Sequence, residues 1–343
     1  MFQNKKQISL FFVLLLLLGI VTVLSMMYGA VNISIDEIPF AIKHSFQHSE
    51  NMSLNERIFI DIRLPRVILC VFVGACLSVG GVLMQGLFRN PIVEPGLVGT
   101  SSGAAFGAAL YFVLGALFHF NTGEWTLPLV ACVGGIIATF LVFYLAKSKQ
   151  YSKSSIIILL LTGIAINALF MSGVGFLSYI AKDPQARSIT FWTLGTLSGA
   201  NWKSVTIVGA TTIVCIIISL RYAKQLNALM LGEDEAQYLG VNIKKIKFNI
   251  LLINVIMVAV ATSFVGIISF VGLIVPHLLR MTNGTDNRYL IRNSALLGAI
   301  LLSISDLVAR LALKPAELPI GIVTSFVGVP IFIILLRKNN YFF

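Results

Sequence analysis

The sequence predicts an all-α integral membrane protein with about ten transmembrane helices, on three observations. Of its 343 residues, 57% are hydrophobic and only 11% are charged, against roughly a quarter charged in a typical soluble domain. Mean hydropathy is +0.91. The apolar residues also fall into long runs, most of them near the ~20 residues that one helix needs to cross a bilayer. Together these features exclude a soluble enzyme, a disordered chain and a nucleic-acid-binding module. They leave no length for a separate nucleotide-binding or catalytic domain, so residues 1–343 are read as a single transmembrane domain.

The first run, 8–28, follows Lys5 and Lys6. It is longer than the ~7–15 residues of a signal-peptide core and is read as a retained span. The second, 67–88, is preceded by Arg63, Pro65 and Arg66, and proline suits a first helical turn. The third, 96–118, places Gly99, Gly103 and Gly107 four apart. A phosphate-binding loop needs Lys and then Ser or Thr after its glycines, and neither follows. The spacing instead predicts a helix face that admits a close neighbour. Runs at 126–146, 154–180, 204–220 and 246–267 follow. The run 268–281 is short and contains Pro276. It predicts a short or broken helix, which a membrane protein tolerates where it is buried in protein or lines a cavity. Runs at 289–312 and 319–336 complete the set. The blocks from the second to the fifth run and from the seventh to the tenth would have opposite orientations, as in inverted-repeat transporters.

An even number of spans puts both termini on one side. With that side taken as cytoplasmic, 16 of the 25 Lys and Arg residues fall inside and nine outside, while the 14 acids divide five and nine. This matches the tendency of cytoplasmic loops to collect Lys and Arg. Two connections are long. Residues 29–66 lie outside. Residues 221–247 lie inside and alternate Leu226, Leu229, Met230 and Leu239 with charged positions, which predicts a pair of short amphipathic helices that dock a partner.

Polar residues inside the runs carry the remaining information. Gln85, Asn167 and Asp306 are expensive in lipid and are expected to face protein or a water-filled path. Asp306 and Arg310 are four apart and can pair on one helix face. Arg63, Arg66 and Arg310 share the outer side, where bidentate recognition by arginine would suit carboxylates on a partner protein. Snorkelling to lipid headgroups is the competing role for Arg63 and Arg66. His44 and His48 are four apart and could meet a metal or haem iron, but a polar outer loop with two ordinary histidines is the preferred reading. His277 beside Pro276 suits a histidine satisfied by backbone. Cys70, Cys76, Cys132 and Cys215 form no metal or disulfide spacing. No catalytic constellation is present, so no residue is assigned a catalytic or metal-binding role.

Six segments together carry a resemblance. They are RLPRVILCVFVGACLSVGG at 63–81, QGLFRNPIVEPGLVGTSSGAAFGA at 85–108, FWTLGTLSGANW at 191–202, LGEDEAQYLGVN at 231–242, FVGLIVPHLLRMTNGTDNR at 270–288 and SDLVARLALKPAELPIGIVTSFVGVPIFIILL at 305–336. The chain resembles the FecCD-type permeases of ABC importers for iron-siderophores, haem and cobalamin, over nearly its whole length. The resemblance implies an importer permease fold of ten helices with inverted repeats, and a homodimer with the path on its two-fold axis. It implies a separate ABC ATPase subunit that holds ATP and Mg, so no cofactor belongs to this chain. It also implies an extracytoplasmic substrate-binding protein and a place in the bacterial cytoplasmic membrane.

The resemblance assigns residues as well. Gly232, Glu233, Ala236, Leu239 and Gly240 match the coupling segment that seats in the ATPase. Arg63, Arg66 and Arg310 match outer arginines that pair with glutamates on the binding protein. Ser102, Ser154 and Ser155 fall near gating positions on the path. The 88–112 and 187–199 segments look most like the haem-uptake branch, with ferric-siderophore or cobalamin import as the alternative cargo. Two other classes stand as rivals. An ion-coupled secondary transporter would use Asp306 as its coupling acid, and an intramembrane enzyme would need a constellation that is not found.

Overall fold

The computed structural model describes residues 5–29, 31–46, 52–117, 123–146 and 155–338. Its helices are α1 (Lys5–Met27), α2 (Glu37–Phe46), α3 (Leu54–Arg57), α4 (Leu64–Phe88), α5 (Thr100–Leu117), α6 (Thr126–Ala146), α7 (Ser155–Ile180), α8 (Asp183–Thr193), α9 (Trp202–Leu231), α10 (Glu233–Tyr238), α11 (Ile243–Val265), α12 (Val271–Asn283), α13 (Asn287–Leu311) and α14 (Ile320–Lys338). A π-helical segment, Ile58–Arg63, joins α3 to α4, and a 3₁₀ turn, Pro95–Val98, precedes α5. Among the described residues, seven helices are long and apolar enough to cross a membrane, and the stretches Thr100–Gly115, Val271–Thr282 and Ile320–Ile334 are shorter apolar helices. Each coincides with one of the ten apolar runs.

The bundle is built around α4, whose most apolar stretch is 83% buried. It packs against α13, α9, α12 and α11. A second group, α5 with α6 and α7, joins this centre through α11, which touches α4, α5, α6 and α9. Helix α1 lies on α13, and α14 lies on α12 and α13. Lipid offers no hydrophobic drive between helices, so close backbone approach and polar bonds must hold them. A Cβ on Gly81 would overlap the Gly272 carbonyl, and one on Gly74 would overlap that of Gly298. Gly103 and Gly107 approach the carbonyls of Gly134 and Val130 on α6 equally closely, as the four-residue spacing predicts. Thr100 and Thr139 share a buried hydroxyl–hydroxyl bond of 2.8 Å across the same pair of helices.

Gly81→Val therefore forces backbone against backbone. The expected cost exceeds the roughly 1–3 kcal/mol of an ordinary overpacked site, because no side chain can swing aside. The expected result is loss of monodisperse protein in detergent, with Gly19→Val as control, since nothing lies within 4 Å of a Cβ there. Equal yields of the two variants would refute this account of the α4–α12 contact.

One local expectation holds and one changes. The run at 268–281 forms the short helix expected of it, α12, continuous with Pro276 inside it. Residue 276 has no N–H, so the Gly272 carbonyl loses its helical donor. The Gln85 amide supplies one from α4, 3.3 Å from Gly272 O and 3.2 Å from Leu273 O. The 221–247 connection is not a pair of short helices. Helix α9 runs on to Leu231, and only α10, six residues long, stands by itself. The apolar spacing of Leu226 and Leu229 continues the packing of the span, and both are fully buried. Cys70, Cys76 and Cys215 are buried and Cys132 is half-buried, all four free.

Candidate functional site

Three sites follow from the polar groups that this bundle brings together. The first lies where α1 ends and α4 begins. Helix termini leave carbonyls without partners, and cations are favoured at a helix C-terminus. The last carbonyls of α1 are met by two arginines from elsewhere. Arg63 donates to Met26 O at 3.0 Å, to Met27 O at 3.1 Å and to Val31 O. Arg310 donates to Tyr28 O at 2.9 Å and to the Ser25 hydroxyl at 2.6 Å. Between the arginines sits Asp306. Its Oδ1 accepts from Arg66 Nε at 3.0 Å and Nη2 at 2.9 Å, and its Oδ2 faces Arg310 Nε at 2.9 Å. Arg66 Nη1 also reaches both oxygens of Glu317, at 2.8 and 3.0 Å.

The three arginines thus converge, as their shared side of the chain suggested, and all are less than 9% exposed. Their guanidinium groups are already occupied within the chain. Glu317 was not singled out from the sequence. The only hint was an acid in the 312–319 connection, which nothing local ties to Arg66. Nearby, His44 Nδ1 pairs with Glu56 Oε1 at 2.8 Å, while His48 lies outside the described residues. Among the described residues, no group of three or more His, Cys, Asp and Glu is placed to hold a metal ion.

The second site is a cavity of about 190 Å³ in the middle of the bundle, lined by Glu94, Ser101, Ser102, Asn167 and Ser269 with apolar neighbours. Ser102 donates to Asn167 Oδ1 at 2.6 Å, and the Asn167 amide donates to Leu97 O at 3.0 Å. Ser102 and Asn167, both polar residues marked in the sequence, therefore form one chain of bonds at the cavity wall. Ser155 opens α7, and Ser154 lies outside the described residues. The sequence reading passed over Glu94. Its carboxylate accepts from the Phe270 N–H at 2.8 Å and so caps α12 from another part of the chain. Phe270 has φ +70°, a left-handed conformation that is costly for a bulky residue and persists only where its surroundings enforce it.

The third site is the turn at the opposite end, where α9 stops and α11 starts. Gly232 ends α9 at φ +146°, which disfavours any side chain there. Helix α10 is anchored on its inner side. Ala236 is fully buried among Leu226, Leu229 and Ile246, and Glu233 pairs with Lys247 at 2.8 Å. Its exposed positions are Asp234, Glu235, Gln237 and Tyr238, and an exposed leucine flanks it at each end. Tyr238 is 91% exposed, Leu231 69% and Leu239 64%, on a turn flanked by Asp234, Glu235, Lys244 and Lys245. Exposed apolar groups clustered among charges mark a protein contact. Of the five residues assigned from the resemblance, Leu239 presents itself outward. Ala236 and Glu233 hold the element to the body, and the two glycines shape its ends. Tyr238 and Leu231 join the site only once the fold turns them outward.

Comparison with known proteins finds relatives along nearly the whole chain. The family described as "FecCD transport family" matches residues 15–338. The hemin transport system permease protein HmuU of Yersinia pestis is 40% identical over 303 residues, covering 88% of this chain and 90% of that protein. The vitamin B12 import system permease protein BtuC of Vibrio vulnificus is 34% identical over 340 residues, covering 98% and 96%. A solved metal-chelate type ABC transporter in an inward-facing conformation superposes with a TM-score of 0.83 at 32% identity, covering 96% of this chain and 99% of that one.

Proposed function

The chain belongs to the FecCD transport family, and from that premise we propose that it is the membrane subunit of an ATP-driven importer carrying an iron complex, haem first, across the bacterial cytoplasmic membrane. It is a multi-pass membrane protein of the ABC permease type. Haem is preferred because identity to the hemin permease, 40% over 303 residues, exceeds the 34% to 38% found with cobalamin permeases. Ferric siderophore and cobalamin are the runners-up.

The observation that carries the mechanism is the exposed apolar trio at and beside α10, Tyr238 on the helix with Leu231 before it and Leu239 after it. ATP hydrolysis belongs to a separate ATPase chain, and the force must enter through a contact. Tyr238, Leu239 and Leu231 offer that contact, and the buried Ala236 transmits it to α9 and α11. Both termini share the cytoplasmic side with α10. The arginine cluster then faces outward, toward a substrate-binding protein.

The central cavity of about 190 Å³ falls below the ~300–1,000 Å³ of small-molecule sites, so this cavity alone would not enclose haem. A second copy completes the path. Helices α7 and α14 suit that interface, because Leu169, Phe176, Phe326 and Ile334 on them are exposed and apolar. Ser102 and Asn167 line the path, and α7 begins at Ser155. Alternation between outward and inward states requires that the ATPase bind the two states with different affinity. A secondary transporter coupled through Asp306 is disfavoured, because that carboxylate is held between Arg66 and Arg310.

The test is growth of a deletion strain on haem as sole iron source, beside a ferric siderophore, a ferric salt and a cobalamin-dependent medium. Loss on haem alone, restored by the wild-type gene, is the expected result. A defect confined to a siderophore or to cobalamin would transfer the cargo and leave the mechanism in place. Uptake that persists in a strain without the ATPase would end the ABC reading.

A further inference from the structure

The ion-pair network around Arg66 has two unequal halves. Asp306 is 1% exposed at its side chain and sits within α13. Glu317 is 37% exposed at its side chain and sits on the connection between α13 and α14. We propose that Glu317 is an internal stand-in for an acidic side chain of the extracytoplasmic partner protein. It holds the solvent-facing nitrogen of Arg66 while the permease is free, and it is displaced when the partner's carboxylate docks. This inference rests on the reading of the arginine cluster as a docking site.

The argument starts from burial. A patch that receives carboxylates is expected to be open, yet Arg63, Arg66 and Arg310 are all buried. Arg63 and Arg310 are fixed by the carbonyls that end α1. Freeing either one would strand those carbonyls and a buried cation. Asp306 is shared by Arg66 and Arg310 and cannot leave either. The Arg66–Glu317 pair is different. If it opens, Glu317 moves into water and Arg66 keeps two bonds to Asp306. Half-exposed ion pairs are weakly held and sensitive to salt. A partner carboxylate entering the same place makes the same bonds, so the desolvation of Arg66 is unchanged by the exchange. The cluster also favours a further anion, since its three guanidinium groups face two carboxylates among the described residues.

The exchange has a route into the bundle. Just after Glu317, Leu318 N donates to Ala309 O at 3.0 Å, and Ile320 N and Gly321 N donate to Gly195 O and Leu194 O at 3.1 and 2.9 Å. The segment that Glu317 tethers is therefore continuous with the first turn of α14. That helix carries Gly328 against Phe270 at the start of α12. Docking would release one end of a tie that leads to the cavity wall.

The experiment measures binding of the system's own purified binding protein to the permease–ATPase complex in nanodiscs, at low and high salt. Glu317→Gln keeps the side chain's shape and removes its charge at a part-exposed position. It is expected to tighten binding on the order of five- to ten-fold at low salt. Arg66→Lys, which keeps charge but loses the fork, is expected to weaken binding and to abolish the gain in the double variant. Unchanged binding by Glu317→Gln, with Arg66→Lys or Arg310→Lys still weakening it, overturns the stand-in and leaves the docking site. Weaker binding by Glu317→Gln makes Glu317 itself a contact and also overturns it. No response to any of the three variants removes the docking site and the inference together.

Discussion

Tyr238→Ala combined with Leu239→Asp is expected to give a folded, membrane-inserted permease that no longer imports its cargo. Both side chains are exposed, 91% and 64%, so their loss removes little from the folded chain, within about 0.5 kcal/mol for surface positions. Apolar anchors at a protein contact are worth far more, roughly 2 kcal/mol or above each when they are central. Two such losses amount to about 4 kcal/mol, or on the order of a thousand-fold in affinity for the ATPase. The measurement is ATP-driven uptake in proteoliposomes beside thermal denaturation of the purified permease. Abolished uptake with unchanged denaturation is the expected pair. Uptake at wild-type rates would remove α10 as the contact. Ala236→Leu separates anchoring from contact, because it overfills a fully buried place and should lower thermal stability as well as uptake.

The second expectation concerns stability. Asp306→Ala removes the one carboxylate that Arg66 and Arg310 share. Breaking a buried ion pair from one side costs about 3–5 kcal/mol, because the remaining charge stays desolvated and unpaired. Here two cations are left. Arg66 retains Glu317 and Arg310 retains Ser25 and Tyr28, which keeps the cost within that range. For a chain whose net stability is of order 5–15 kcal/mol, most of the protein should disappear from the membrane fraction. Asp306→Asn keeps the volume and one acceptor, and should fall between wild type and alanine. Normal accumulation and denaturation of Asp306→Ala would show that the cluster does not hold α1, α4 and α13 together.

The ten spans were legible in the sequence to within a few residues. α1 and α6 needed only their own apolar runs. α9 is the exception, since its last turns, up to Leu231, are amphipathic and look like a separate helix until their apolar side is seen packed on the bundle. The family was legible too, because its motifs lie in segments whose order along the chain is itself the signal. The candidate sites were legible only in part. Gln85, Asn167 and Asp306 stood out as polar residues in apolar surroundings, Arg63, Arg66 and Arg310 as arginines on the outer side, and Ser102 only through the family resemblance. Glu317, Glu94 and Tyr238 did not, since each looks like an ordinary loop or turn residue in its own neighbourhood.

This division has a physical cause. In lipid, every backbone N–H and C=O must be paired inside its own helix. Where a span begins and ends is therefore a local property, set by a run of apolar side chains, and the sequence alone determined it. Where that rule lapses at α9, α11 and α13, the adjoining residue supplies a local cap, but in three places the missing partner comes from elsewhere in the chain. Pro276 frees the Gly272 carbonyl, and Gln85 answers it. Helix α1 ends with open carbonyls, and Arg63 and Arg310 answer those. Helix α12 begins at a strained Phe270, and Glu94 answers its N–H. Which polar group meets which vacancy depends on helices brought together across 37 to 282 residues of chain, and only the tertiary structure decides it.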